Sequence, residues 1–105
     1  AYLGGFAFLG EEAVWKNGVA LWGMNYYGRM LVAEIPAGFS DFLKRARMLV
    51  PAEAPFRGPR LFKEGEFEFS CDWSGGLEAF TGEEFIFFNG QPIYQLNFHG
   101  GEIRD

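Results

Sequence analysis

The sequence predicts an α+β fold: an antiparallel, curved β-sheet built from two duplicated β-hairpin units, with one covering α-helix. Three observations predict it. The chain repeats itself at an offset of 72 residues, laying "GGFAFLGEEAVWKNGVALWGMNYYG" (4–28) over "GLEAFTGEEFIFFNGQPIYQLNFHG" (76–100). Each copy holds an Asn-Gly pair between β-forming runs, the strongest short-range hairpin signal. Between the copies one stretch, about 40–50, carries an apolar stripe at helical spacing.

The duplication rests on ten identities in 25 ungapped positions: Gly4/Gly76, Ala7/Ala79, Phe8/Phe80, Gly10/Gly82, Glu11/Glu83, Glu12/Glu84, Asn17/Asn89, Gly18/Gly90, Asn25/Asn97 and Gly28/Gly100. Val14/Ile86, Trp22/Tyr94, Met24/Leu96 and Tyr26/Phe98 keep their character. A two-residue turn at each Asn-Gly predicts the register: Val14 faces Leu21, Ala13 faces Trp22 and Phe85 faces Tyr94. Alternation then sorts the side chains. The expected core face is Ala13, Trp15, Ala20, Trp22, Met24 and Tyr26, with Phe85, Phe87, Pro92, Tyr94, Leu96 and Phe98 in the copy. The opposite face takes Glu12, Val14, Leu21, Gly23 and Asn25, with Glu84, Ile86, Ile93, Gln95 and Asn97. Gly28 and Gly100 are expected to end the strands.

In the helix, Ser40 is the expected N-cap, Asp41 lies in the first turn and Pro51 ends it. Its stripe is Phe39, Phe42, Leu43, Ala46, Leu49 and Val50. "EFEFSCDW" precedes the second hairpin as a further strand, with Phe67, Phe69, Cys71 and Trp73 inward. Ser74-Gly75-Gly76 is the expected turn out of it. The first hairpin has no such strand before it, so the first copy reads as cut. Residues upstream, or a strand donated by another chain, would complete it.

With 105 residues the chain makes a single domain, 1–105, with one core. Aromatics are 19% of it, thirteen of them Phe, which predicts a dense core or a buried interface and argues against disorder. No run approaches the ~20 apolar residues of a membrane span, and no signal-peptide pattern is present. The lone Cys71 allows no internal disulfide and fits a cytoplasmic setting. The net charge of −5 argues against direct nucleic-acid binding. Lys44, Arg45, Arg47, Arg57, Arg60 and Lys63 against Glu53 make the 44–63 window about +5, leaving about −10 elsewhere. A solvated helix face and loop explains that window most simply; an anion- or partner-binding patch is the sharper reading.

The predicted register places Glu12 opposite Gly23 with Asn25 diagonal, and Glu84 opposite Gln95 with Asn97 diagonal. The plain reading is that these groups satisfy one another or cap strand ends. The functional one is that two carboxylate–amide clusters meet in a groove and bind a small polar or anionic ligand. His99 is the only His, and stands where the first copy has Tyr27. It is expected just after the last strand, and imidazole suits acid/base work as a side-chain type. Arg29 and Arg57 are the candidate anion hooks, unless each simply pairs with a surface acid. Cys71 alternates with aromatics and is expected to be a buried, inert thiol. One His and one Cys exclude a His/Cys zinc site within the chain. No phosphate loop or nucleophile elbow is present, and no cofactor is implied. The leading expectation is a non-catalytic ligand-binding, regulatory or dimerisation module, forming a homo-oligomer. The alternative is a small enzyme using His99 with Glu12 or Glu84 on an anionic substrate.

"YLGGFAFLGEEAVWKNG", "WGMNYYGR", "FLKRARMLVP", "PFRGP" and "FHGGEIR" together span nearly the whole chain. In them the sequence resembles a bacterial domain family of unknown function. The resemblance implies that further residues precede "YLGGF", and that some members follow an XRE-type helix-turn-helix. It implies no activity.

Overall fold

A computed structural model of the protein describes residues 1–51 and 58–105. In chain order its elements are β1 (Tyr2–Gly4), β2 (Ala7–Lys16), β3 (Val19–Met30), α1 (Phe39–Arg47), β4 (Leu61–Glu64), β5 (Phe67–Gly76), β6 (Ala79–Phe88) and β7 (Gln91–Glu102). Among the described residues the strands form one antiparallel seven-stranded sheet, in the order β1-β2-β3-β7-β6-β5-β4. The helix is the one the sequence predicts.

The duplication sets the geometry. β6 and β7 begin and end 72 residues after β2 and β3. β3 and β7 pair with Tyr26 directly opposite Phe98, its own copy. A pseudo-two-fold axis therefore pierces the sheet between these two residues. Hydrogen bonds recur across it in related pairs. Leu31 N–H donates to Ile93 O (2.8 Å) and Ile103 N–H to Leu21 O (2.9 Å). Met30 N–H donates to Phe6 O (2.9 Å) and Glu102 N–H to Glu78 O (2.9 Å).

Both hairpins turn through residues with positive φ, Asn17 and Gly18 at 52° and 78°, Asn89 and Gly90 at 51° and 78°, as a type I′ turn requires. The predicted register holds only next to the turn, where Lys16 faces Val19 and Trp15 faces Ala20. Beyond it a bulge intervenes in each copy, at the same place, so Val14 faces Trp22 and Ile86 faces Tyr94. Leu21 and Ile93 are the extra residues. Their carbonyls turn to the far neighbouring strand, where they accept the hydrogen bonds from Ile103 and Leu31. One residue of slip moves a strand's side chains to the other face relative to its partner. Glu12 thus faces Met24 and Glu84 faces Leu96. Glu84 and Ile86 are buried on the core face, whereas Phe85 and Phe87 lie on the other, reversing the expected assignment.

Four of the shared glycines lie beneath aromatic rings. A Cβ on Gly10 would strike the Tyr26 ring, and one on Gly82 the Phe98 ring. A Cβ on Gly28 would strike the Phe8 ring, and one on Gly100 would meet the Phe80 ring and the Gly23 carbonyl. These are two related pairs of ring-over-glycine contacts within the sheet. Gly28 and Gly100 consequently do not end their strands, which run on to Met30 and Glu102. His99 likewise lies within β7. The turn after β5 falls at Leu77 and Glu78, since β5 continues through Gly76. The register also makes Gly75, opposite Phe80, the counterpart of Gly4, opposite Phe8. The second copy has one more residue in that turn.

The core is aromatic and spans both copies. Trp22 stacks on Phe80 (5.6 Å between centroids) and Phe8 on Tyr94 (6.4 Å), again a related pair. Helix α1 covers the second copy. Phe42 stacks between Phe62 (5.4 Å) and Phe67 (5.0 Å), and Phe39 rests on Tyr94 (5.7 Å). Cys71 is buried there beside Phe69, as expected. The N-cap is Gly38 in a left-handed conformation, φ 88°, not Ser40, and no side chain caps the helix. The helix ends at Arg47 rather than running to Pro51, which leaves Leu49 and Val50 exposed. Phe39 must enter the core at the first helical position, and the glycine turn ahead of it permits that.

Gly82→Ala should cost about 1–3 kcal/mol, because the methyl group overpacks against Phe98 and the Asp72 carbonyl. Gly5→Ala, with open space around its Cβ, should stay within about 0.5 kcal/mol of the parent. Urea unfolding curves of the two variants check this.

Candidate functional site

On the face away from the core, the odd-numbered residues of β2, β3, β6 and β7 line up in rows across the strands. One row reads Glu11, Asn25, His99, Thr81. The next reads Leu9, Tyr27, Asn97, Glu83, Asp72. A third reads Ala7, Arg29, Gln95, Phe85. The pseudo-two-fold axis passes between the first two rows. It relates Asn25 to Asn97, Glu11 to Glu83, and Tyr27 to His99.

At the seam Asn25 Nδ2 lies 3.3 Å from His99 Nε2, within hydrogen-bond distance. On the other side of the axis Asn97 stands beside Tyr27. Gln95 Nε2 donates to Glu83 Oε2 at 3.3 Å. Asn25, Tyr27, Asn97 and His99 are all exposed.

Three hollows join along these rows. A cavity of about 410 Å³ is bordered by Leu3, Leu9, Glu11, Asn25 and His99. One of about 200 Å³ lies over Leu9, Asn25, Tyr27, Thr81, Asn97 and His99. A third of about 490 Å³ is bordered by Asp72, Trp73, Thr81, Glu83 and Asn97. Shared walls make them one groove that crosses the strands over the seam.

The structure brings Asn25, Tyr27, Arg29, Asn97 and His99 onto this one face. It does not bring Glu12 and Glu84 there, because the bulges put both on the core face. Their places are taken by Glu11 and Glu83, opposite Asn25 and Asn97. The repeat marks all four glutamates equally, since both copies read "GEE"; only the bulge selects between them. Arg57 lies outside the described residues. His99 is thus separated by the sheet from both carboxylates expected to work with it.

Glu84 is fully buried and accepts a hydrogen bond from Tyr94 Oη at 3.2 Å. Glu12, its copy, is exposed. Trp22, the copy of Tyr94, donates instead to the Leu77 carbonyl at 3.2 Å. The buried polar pair therefore belongs to the helix-covered half alone.

Cations of the 44–63 window meet neighbouring acids. Arg45 grips both carboxylate oxygens of Glu64, Arg60 pairs with Asp72 (3.3 Å) and lies over the Trp73 ring (3.8 Å), and Lys63 pairs with Glu68 (3.5 Å). These pairs are solvent-exposed, and they leave less of the window for an anion. Among the described residues no group of three or more His, Cys, Asp or Glu is placed to hold a metal, and no helix is long and apolar enough to cross a membrane.

Residues 1–103 match the family described as Domain of unknown function (DUF5680), and the chain belongs to that family. No curated protein and no solved structure matches it.

Tyr94→Phe should destabilise the fold by about 1–3 kcal/mol, because it withdraws a donor from a buried carboxylate. Asn25→Ala and Asn97→Ala, both at exposed positions, should each stay within about 0.5 kcal/mol. Thermal unfolding of the three variants separates the buried polar pair from the groove.

Proposed function

We propose that this member of the DUF5680 family is a non-catalytic binding module that holds a small polar ligand in the groove over the β3–β7 seam. The observation that carries the reading is the doubled amide cluster. Asn25 with His99 and Asn97 with Tyr27 stand side by side at the centre of the groove, and Glu11 and Glu83 flank them. Both amides are exposed, so each offers a donor and an acceptor to a ligand. Leu9 and Leu3 at one end supply an apolar wall beside the polar groups, a common composition for small-molecule sites.

The charge of the face narrows the ligand. Asp72 is offset by Arg60; Glu11 and Glu83 then stand against Arg29, which favours a ligand bringing hydrogen-bond donors or positive charge over an anion. The two copies differ at the centre, Tyr27 against His99. A ligand lying across the axis therefore meets unlike ends and binds in one orientation.

A thermal-shift panel of small amines, amides and polyols, set against carboxylates and phosphates, tests this. A true ligand at a hundredfold its Kd adds about 2.7 kcal/mol, a rise of about 10 °C or more for a domain of this size. Asn25→Ala combined with Asn97→Ala should abolish the rise and leave the unliganded Tm nearly unchanged. The reading fails if only anions shift the Tm, if nothing does, or if the shift survives in the double variant.

A further inference from the structure

The pseudo-two-fold axis orders the polar groups of the groove as well as relating them. Glu11 faces Asn25 across β2 and β3, and Glu83 faces Asn97 across β6 and β7. The axis runs between Tyr26 and Phe98, so the two pairs lie on opposite sides of it. Glu11, Asn25, Asn97 and Glu83 therefore follow one another along a single diagonal, with the axis at its midpoint. Tyr27 and His99 stand on its two flanks. Three strand spacings of ~4.8 Å and one two-residue step separate the glutamates, which places their Cα atoms about 16 Å apart. All four residues of the diagonal are exposed. Its two ends are alike: a carboxylate with an amide on the neighbouring strand, close enough for both to hold one group. Glu83 already accepts a hydrogen bond from Gln95 Nε2 at 3.3 Å and keeps further acceptor capacity. Arg29 and Arg60 lie off this line. Arg60 is paired with Asp72, and Arg29 stands in the next row beside Gln95.

We propose, resting on the proposed function of the groove, that its ligand is a linear dication, an aliphatic chain with an ammonium group at each end, laid along this diagonal. An ammonium carries three N–H donors and no acceptor. At either end one donor meets the glutamate, one meets the asparagine Oδ1 and the third stays in water. A carboxylate at the end of a ligand would be repelled by Glu11 or Glu83. A hydroxyl there would lack the charge on the donor that makes such bonds strongest. The duplication supplies this grip twice, and the β3–β7 pairing fixes the separation. Binding one end then holds the other near its partner. The apolar middle of the chain passes between Tyr27 and His99. Because these two differ, they set the orientation of a chain that is itself unsymmetrical. The bulges that turn Glu12 and Glu84 to the core face leave Glu11 and Glu83 as the two ends of the site.

Isothermal titration calorimetry at low salt tests the proposal, with a series from diaminobutane to diaminododecane and the monoamine of matching length as the one-ended probe. Affinity should rise to a maximum at an intermediate chain length and fall beyond it. A short chain cannot reach both glutamates and a long one must buckle. The best diamine should bind at least about tenfold tighter than its monoamine. Glu11→Gln and Glu83→Gln should each weaken it roughly tenfold, for the loss of one charge-assisted bond. Glu66→Gln removes the same charge from the turn between β4 and β5, outside the groove, and should leave the affinity unchanged. Circular dichroism confirms that each variant is folded. Affinity that climbs steadily with carbon count reports apolar contact alone and overturns the proposal. So does a groove variant without effect, or a Glu66→Gln variant as weak as the other two. If a neutral amide or polyol that needs Asn25 and Asn97 binds as tightly as the best diamine, the dication is wrong and the proposed function survives. If no compound binds, both fall.

Discussion

The antiparallel seam between β3 and β7 is the constraint on which the rest of the structure depends. It joins two copies of one hairpin with Tyr26 against Phe98, and the axis between these residues dictates what meets what. On the core face it interlocks the copies through Trp22 on Phe80 and Phe8 on Tyr94. On the other face it sets each asparagine beside the residue in which the copies differ. Neither hairpin alone could bury its aromatic rows, since an isolated two-stranded ribbon is at best marginally stable in water. Joined, they make a sheet on which one helix suffices to close a core.

The two bulges give that seam its chemistry. Each takes one residue, Leu21 or Ile93, out of the hairpin ladder and lends its carbonyl to the opposite copy. The same step rotates the glutamates. It sends Glu84 inward, where Tyr94 meets it, and leaves Glu11 and Glu83 facing solvent beside the amides. A carboxylate buried in an aromatic core is tolerated only with hydrogen-bond partners. The first copy has Trp22 where the second has Tyr94, and its Glu12 remains in water. The glutamate is the same in both copies; the divergence lies at its neighbour, Trp22 in the first and Tyr94 in the second.

Among the described residues the two halves are covered unequally. Helix α1 and the long β5 lie over the second copy, and Phe42, Phe69 and Ile86 disappear from solvent beneath them. Among the described residues the first copy is flanked on that side by the three-residue β1, and Val14, Trp15 and Val19 are exposed. A polar groove crosses the middle of the sheet and an apolar edge lies at its rim.

The sequence by itself determined the duplication, the two Asn-Gly hairpins, the helix between them, the inward alternation of Phe67 through Trp73 and the burial of Cys71. All of these are short-range patterns, written in turn chemistry and in the period of the apolar residues. It also put Asn25 and Asn97 on the same face of their hairpins and singled out Tyr27, Arg29 and His99 as candidates. The choice of Glu11 and Glu83 over Glu12 and Glu84 was decided only by tertiary structure. A bulge depends on which neighbouring segment offers an N–H to the displaced carbonyl, and here that donor, Ile103 for Leu21 and Leu31 for Ile93, is far away in the chain. The glycine cap at Gly38 and the early end of α1 have a similar origin. They follow from where Phe39 and Phe42 must enter the core between β4, β5 and β7, a demand that no local propensity contains.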